Sequence, residues 1–156
     1  MGTLLSTIIL INNIAFSQIS DKITLLQFES LDKNSKTIVL KKQKINNERF
    51  FIFKAFNKKT HDIQTCVWQT KLDVKKTKIL INQLSELSIH NKIKEGYFYK
   101  LILKNNFVKL IFKHSKCIGE HKLFYFQKDC KRNFSLKMSK EDSKRLLLII
   151  NNHLKE

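Results

Sequence analysis

The side chains best suited to metal or nucleophilic chemistry are three cysteines and five histidines, and they gather most densely in one short stretch. His114, Cys117 and His121 lie close together, and Cys130 follows. Imidazole and thiolate are zinc and copper ligands, and four of them at short spacing can close a tetrahedral site. The spacing His-x2-Cys-x3-His-x8-Cys matches no common finger pattern, and no Cys-x2-Cys pair occurs. The expected reading of this stretch is a polar loop, with His114, Cys117, His121 and Cys130 as the metal candidates. A small hydrolase or metal-dependent enzyme built on the His114–His121 region is the corresponding functional alternative.

Other catalytic patterns are missing from the sequence. There is no Gly-x-Ser-x-Gly and no His-Glu-x-x-His. Cys66 or Cys130 beside His61 or His121 makes a nominal Cys-His pair, but nothing local orients it. Carboxylates stand singly, apart from Glu141-Asp142, which suit the first turn of a helix. The three glycines, Gly2, Gly96 and Gly119, are too far apart to form a phosphate-cradling loop. The chain is therefore expected to carry no catalytic residue and no cofactor. Trp68, the single tryptophan, is expected in the core, with ligand stacking the lesser option.

The cysteines also bear on redox state. Cys66 and Cys130 each lie six residues before a leucine, Leu72 and Leu136, that precedes a helix. If the strands carrying them are neighbours, a Cys66–Cys130 disulfide can bridge two halves of the molecule. Cys117–Cys130 competes, though an extended strand between them would hold them apart.

Charge is the strongest compositional signal. Thirty basic residues against 13 acidic ones give a formal net charge of +17 over 156 residues. Only Arg49, Arg132 and Arg145 are arginines, whereas readers of bases and phosphates favour the planar guanidinium. Asn, Ile and Phe are abundant and Pro is absent, a bias that AT-rich codons produce. The expected surface is one solvated by lysines, with a polyanion site for nucleic acid, anionic glycan or lipid head groups as the alternative.

Residues 1–20 carry no charge and hold a short apolar run, Leu4–Phe16, interrupted at Asn12-Asn13. The run is too short to span a bilayer, which takes about 20 apolar residues. It fits a secretory signal, with Ala15-Phe16-Ser17 as a small-x-small junction before Gln18, although no Lys or Arg stands near Met1. The segment resembles bacterial export signals. Residues 1–17 are thus expected to be a signal peptide, and 18–156 a single exported domain, periplasmic, secreted or at the cell envelope. No transmembrane span is expected once the signal is removed.

Stepping from these residues to the elements that must hold them, two units share one punctuation. Thr37–Lys44, a turn at Asn46-Asn47 and Arg49–Asn57 form a hairpin in which Leu40 faces Phe53 and Ile38 faces Ala55. Tyr97–Lys104, Asn105-Asn106 and Phe107–Ser115 form another, pairing Tyr99 with Phe112, Leu101 with Leu110 and Leu103 with Val108. A strand and then a helix follow each hairpin. In the first unit these are Ile63–Leu72 and 74–89, capped by Asp73. In the second they are Lys122–Lys128 and Phe134–Met138, then Ser139–Leu154 with Ser139 as the cap. Ile23–Glu29 adds a leading strand. The expected fold is α+β: an antiparallel β-sheet built from two degenerate hairpin-strand-helix repeats, about 37–90 and 97–155, with the helices packed on one face.

That register turns Lys100, Lys104, Lys109 and Lys113 to the face opposite Leu101, Leu103, Val108 and Leu110, beside Ile102, Phe107 and Ile111. Lysine stems lying along apolar side chains make a docking surface for an acidic protein or other polyanion. The functional expectation is a non-enzymatic exported binding protein, an interaction module for a protein partner.

Overall fold

A computed structural model describes residues 22–32, 36–57, 65–86, 91–117 and 131–156. The expected signal peptide, the strand at 122–128, His61, His121 and Cys130 lie outside these residues.

The described chain runs β1 (Ile23–Glu29), β2 (Thr37–Ile45), β3 (Glu48–Phe56), β4 (Cys66–Asp73), α1 (Val74–Glu86), β5 (Lys92–Glu95), β6 (Tyr99–Leu103), β7 (Phe107–Cys117), β8 (Lys131–Ser139) and α2 (Lys140–Leu154). This is an α+β fold of two four-stranded antiparallel sheets, β1–β4 and β5–β8, each followed by a helix. Among the described residues the two sheets join by strand pairing at Trp68↔Cys117 and Gln69↔Lys116.

Both hairpins take the expected register. Leu40 pairs with Phe53 and Ile38 with Ala55. Tyr99 pairs with Phe112, Leu101 with Leu110 and Leu103 with Val108. Alternation then sends these side chains to one face, where all ten are buried. The two Asn-Asn turns differ in backbone. Asn46 and Asn47 have φ of 49° and 65°, the left-handed pair that a primed two-residue hairpin requires. Asn105 and Asn106 stay at negative φ, and that turn closes through Lys104 N–H donating to Phe107 O at 3.0 Å.

Each helix starts on the side chain expected to cap it. Asp73 Oδ1 accepts from Lys76 N–H at 2.8 Å, and Ser139 Oγ accepts from Asp142 N–H at 3.0 Å. The helices lay Leu80 and Ile81 of α1, and Leu146 and Ile150 of α2, onto the buried face of the strands. Thr77 is also fully buried, its hydroxyl satisfied by donating from Oγ1 to Asp73 O at 2.7 Å. The end of α2 is tied back to the first hairpin. Arg49 donates to His153 O at 3.0 Å, and Lys42 forms an ion pair with Glu156. That contact, chiefly its hydrogen bond, holds the Glu156 carboxyl below the usual carboxylate range.

Three features depart from the sequence reading. β6 begins at Tyr99, two residues after the expected Tyr97. β5 was not anticipated: its four residues, Lys-Ile-Lys-Glu, are all exposed and give no burial signal. β8 begins at Lys131, three residues before the expected Phe134.

An aromatic cluster spans the join between the sheets. Trp68 stacks on Phe134 with centroids 4.0 Å apart, and on Phe112 at 5.3 Å; Phe112 in turn meets Phe53 at 5.1 Å. The indole N–H donates to Ser115 Oγ at 2.5 Å. Trp68 is buried, so its role is packing the two units together rather than stacking on a ligand.

Candidate functional site

The two sheets do not stay paired along their join, and the place where they separate forms a concavity. Past Trp68 and Gln69, β4 continues through Thr70–Asp73 with no strand on its second edge among the described residues. β7 is steered away by a bulge. Its register against β8 slips between Phe112 and Ser115, and His114 takes φ 55°. Lys113 N–H then bonds to Phe98 O at 2.9 Å instead of reaching β4. Leu72 and Thr70 on one side, and Phe98, Lys113 and His114 on the other, bound a cleft of about 430 Å³. A second hollow of similar size adjoins it, sharing Lys76, Tyr97 and Phe98 and reaching Ile79 on α1.

The β5–β6 turn builds one wall. Gly96 N–H donates to Tyr99 O at 2.9 Å, leaving Tyr97 and Phe98 at the tip. The Tyr99 ring is buried directly over Gly96, where an added Cβ would lie 2.3 Å from a ring carbon, so glycine is required for this close approach. Burial, then the Glu86 charge, raises the Tyr99 hydroxyl above its ordinary pKa. Tyr97, by contrast, is 86% exposed.

The cleft is cationic. Lys71 lies over the Phe50 ring at 4.3 Å and Lys76 over Phe98 at 5.8 Å, so aromatic faces help to position both ammonium groups. Lys113 pairs with Glu95 and also donates to Gly96 O at 3.1 Å. The hydrogen bond from Lys113, and then its charge, holds the Glu95 carboxyl below the usual range. The Asp73 carboxylate is engaged as the α1 cap.

The residues singled out from sequence are distributed as follows. Lys100, Lys109 and Lys113 are half-buried on the outer sheet face, with Lys100 opposite Ile111 and Ile102 opposite Lys109. Lys104 is exposed at the hairpin tip. Lys137 of β8 joins this face opposite Lys109, its ammonium 4.1 Å from the Phe107 centroid. His114 is exposed at the bulge, with its backbone N–H donating to Asn133 Oδ1 at 3.4 Å. Cys117 pairs by backbone with Trp68, and no group of three potential metal ligands occurs among the described residues. The Cys66 thiol is half-buried, its Sγ 3.4 Å from Trp68 O, while its expected partner Cys130 is outside the described residues. No described helix is long and apolar enough to cross a membrane.

Sequence reasoning missed Lys71, Lys76, Tyr97 and Phe98 as a group. Tyr97 and Phe98 read as the start of a buried strand because aromatic residues favour strands. The signal that marks them as a turn is Gly96 immediately before them. Compared with family models, curated proteins and solved structures, the chain shows no match.

Proposed function

We propose that this chain is a non-catalytic binding protein that takes an acidic protein partner in the cleft between its two sheets. The observation that carries the reading is the pairing of Lys71 and Lys76 with the exposed Tyr97 on one concavity. Fixed ammonium groups speed and orient an acidic partner, and an exposed aromatic ring supplies contact area at low entropic cost. The uncharged residues 1–20, with their short apolar run, support a site of action outside the cytoplasm, in the periplasm, at the envelope or in the medium. The matching topology of the two four-strand-plus-helix units supports descent from a duplicated repeat.

The test is binding of a synthetic Glu- and Tyr-containing peptide to the wild type and to the Lys71→Gln/Lys76→Gln variant across a salt series. At low salt the variant should bind about tenfold more weakly, and the gap should narrow as salt shortens the screening length toward about 8 Å. Equal affinity for the two proteins contradicts the cleft as the site. Retention of heparin or DNA by the wild type, without peptide binding, favours the polyanion alternative on Lys100, Lys109 and Lys137. Export is tested separately by intact mass of the exported fraction. A chain starting at or near Gln18 is expected, and one still starting at Met1 contradicts it.

A further inference from the structure

The two units share one topology but treat their seams differently. In the first seam, the chain leaving β1 closes the free edge of β8. Leu31 N–H donates to Lys137 O at 2.8 Å, and Ser30 Oγ lies 3.3 Å from Lys137 N and 3.4 Å from Lys137 O. The β8 strand thus has β7 on one side and Ser30–Leu31 on the other. This works because β1 and β2 run long: their pairing reaches Glu29↔Thr37, and Ser30 N–H still bonds to Lys36 O at 2.9 Å.

The corresponding seam lies between β4 and the chain leaving β5. Here the hairpin turns early, at Tyr97-Phe98, and nothing equivalent to Ser30–Leu31 reaches β4 among the described residues. In an antiparallel strand, alternate residues aim their N–H and C=O groups at opposite neighbours. Half of those groups in Thr70–Asp73 therefore point away from β3, toward the cleft. Four residues span about 13 Å at the usual rise. That length matches a short extended segment, and the bulge at His114 keeps β7 from filling the space.

We infer that the β4 edge accepts an extended acidic peptide segment of the partner as an added strand, completing the seam that β1 closes on the other unit. This rests on the binding reading above and names its mode. The cleft-facing backbone groups of Thr70–Asp73, apart from Asp73 O, which accepts from Thr77 Oγ1, supply the pairing, and side chains on alternate faces supply selectivity. Charge sets the partner's chemistry. Lys76 stands beside the edge, and Lys71 belongs to it with its ammonium lying over Phe50 of β3, whereas the carboxylate of this edge, Asp73, is turned to its cap. Tyr97 fits an aromatic or aliphatic residue between the acidic ones.

The test compares two synthetic peptides in which Glu alternates with Val and Tyr. One has ordinary amides, and the other is N-methylated at alternate residues so that one strand edge loses its donors. The ordinary peptide should bind at least about tenfold more tightly than the methylated one. It should also slow amide hydrogen exchange at the residues of Thr70–Asp73 whose N–H groups face the cleft. Equal binding of the two peptides, still weakened by Lys71→Gln/Lys76→Gln, overturns strand addition and leaves the acidic cleft standing. Binding insensitive to both changes overturns the cleft as well. Slow exchange at Thr70–Asp73 that depends on protein concentration, without peptide, assigns the edge to a second copy of this chain and overturns the peptide reading.

Discussion

At the scale of single residues, the cleft is built from groups whose charge is already partly committed. Lys113 is the clearest case, because it was expected on an open basic face and instead holds Glu95 at the foot of the β5–β6 turn. Glu95 therefore titrates below its ordinary value, and the sign follows directly. A depressed carboxyl favours the folded state at pH values above the unfolded value of about 4.3, and the benefit is lost as pH falls through the lower folded value. Acidification thus releases Lys113 and makes the cleft more cationic. A carboxyl-carbon NMR titration should place the Glu95 midpoint below about 4.3, and Lys113→Gln should return it toward that value. A midpoint at or above 4.3 in the wild type contradicts the contact. The register that set the lysine faces was legible because apolar residues alternate cleanly in β6 and β7. The Lys113–Glu95 pair was not, since Glu95 lies on a strand with no apolar pattern to reveal it.

At the scale of elements, the two Asn-Asn turns test how far local sequence dictates backbone. Both were read as the tips of hairpins, and both are, but only the first has the left-handed backbone of a primed turn. Asn46 and Asn47 are left-handed, a conformation that costs an ordinary side chain about 1–2 kcal/mol. Asn46→Ala and Asn47→Ala should each lower stability by about that amount in chemical denaturation. Asn105→Ala and Asn106→Ala should change it by no more than about 0.5 kcal/mol, as for ordinary surface positions. Equal costs at the two turns would contradict the difference in backbone. Identical dipeptides thus take different backbones although both turns close across two residues, through the pair Ile45↔Glu48 in the first and Lys104 N–H to Phe107 O in the second. Helix starts were more legible, because a cap needs only Asp73 or Ser139 at the right offset from the apolar stripe.

At the scale of the whole molecule, the α+β class, the antiparallel hairpins and the two helices that end the units were legible from period and punctuation, whereas the site was not. A seam is a relation between strands far apart in sequence. It depends on where β1 and β5 stop, on the bulge at His114, and on Trp68 bridging to Phe112 and Phe134. None of these leaves a local pattern of the kind that identifies a strand. The same arrangement explains why so basic a chain can have a defined site. Most lysines lie scattered along outer faces, while Lys71 and Lys76 meet an aromatic wall and an open strand edge. The decisive measurement is a chemical-shift titration of the isotope-labelled protein with the Glu/Val/Tyr peptide at physiological salt. The largest shifts should fall on Thr70–Leu72, Lys76, Tyr97 and Phe98 and saturate together. Shifts spread evenly over the lysine-bearing strands, or centred on Lys100, Lys109 and Lys137, would contradict the cleft as the binding site.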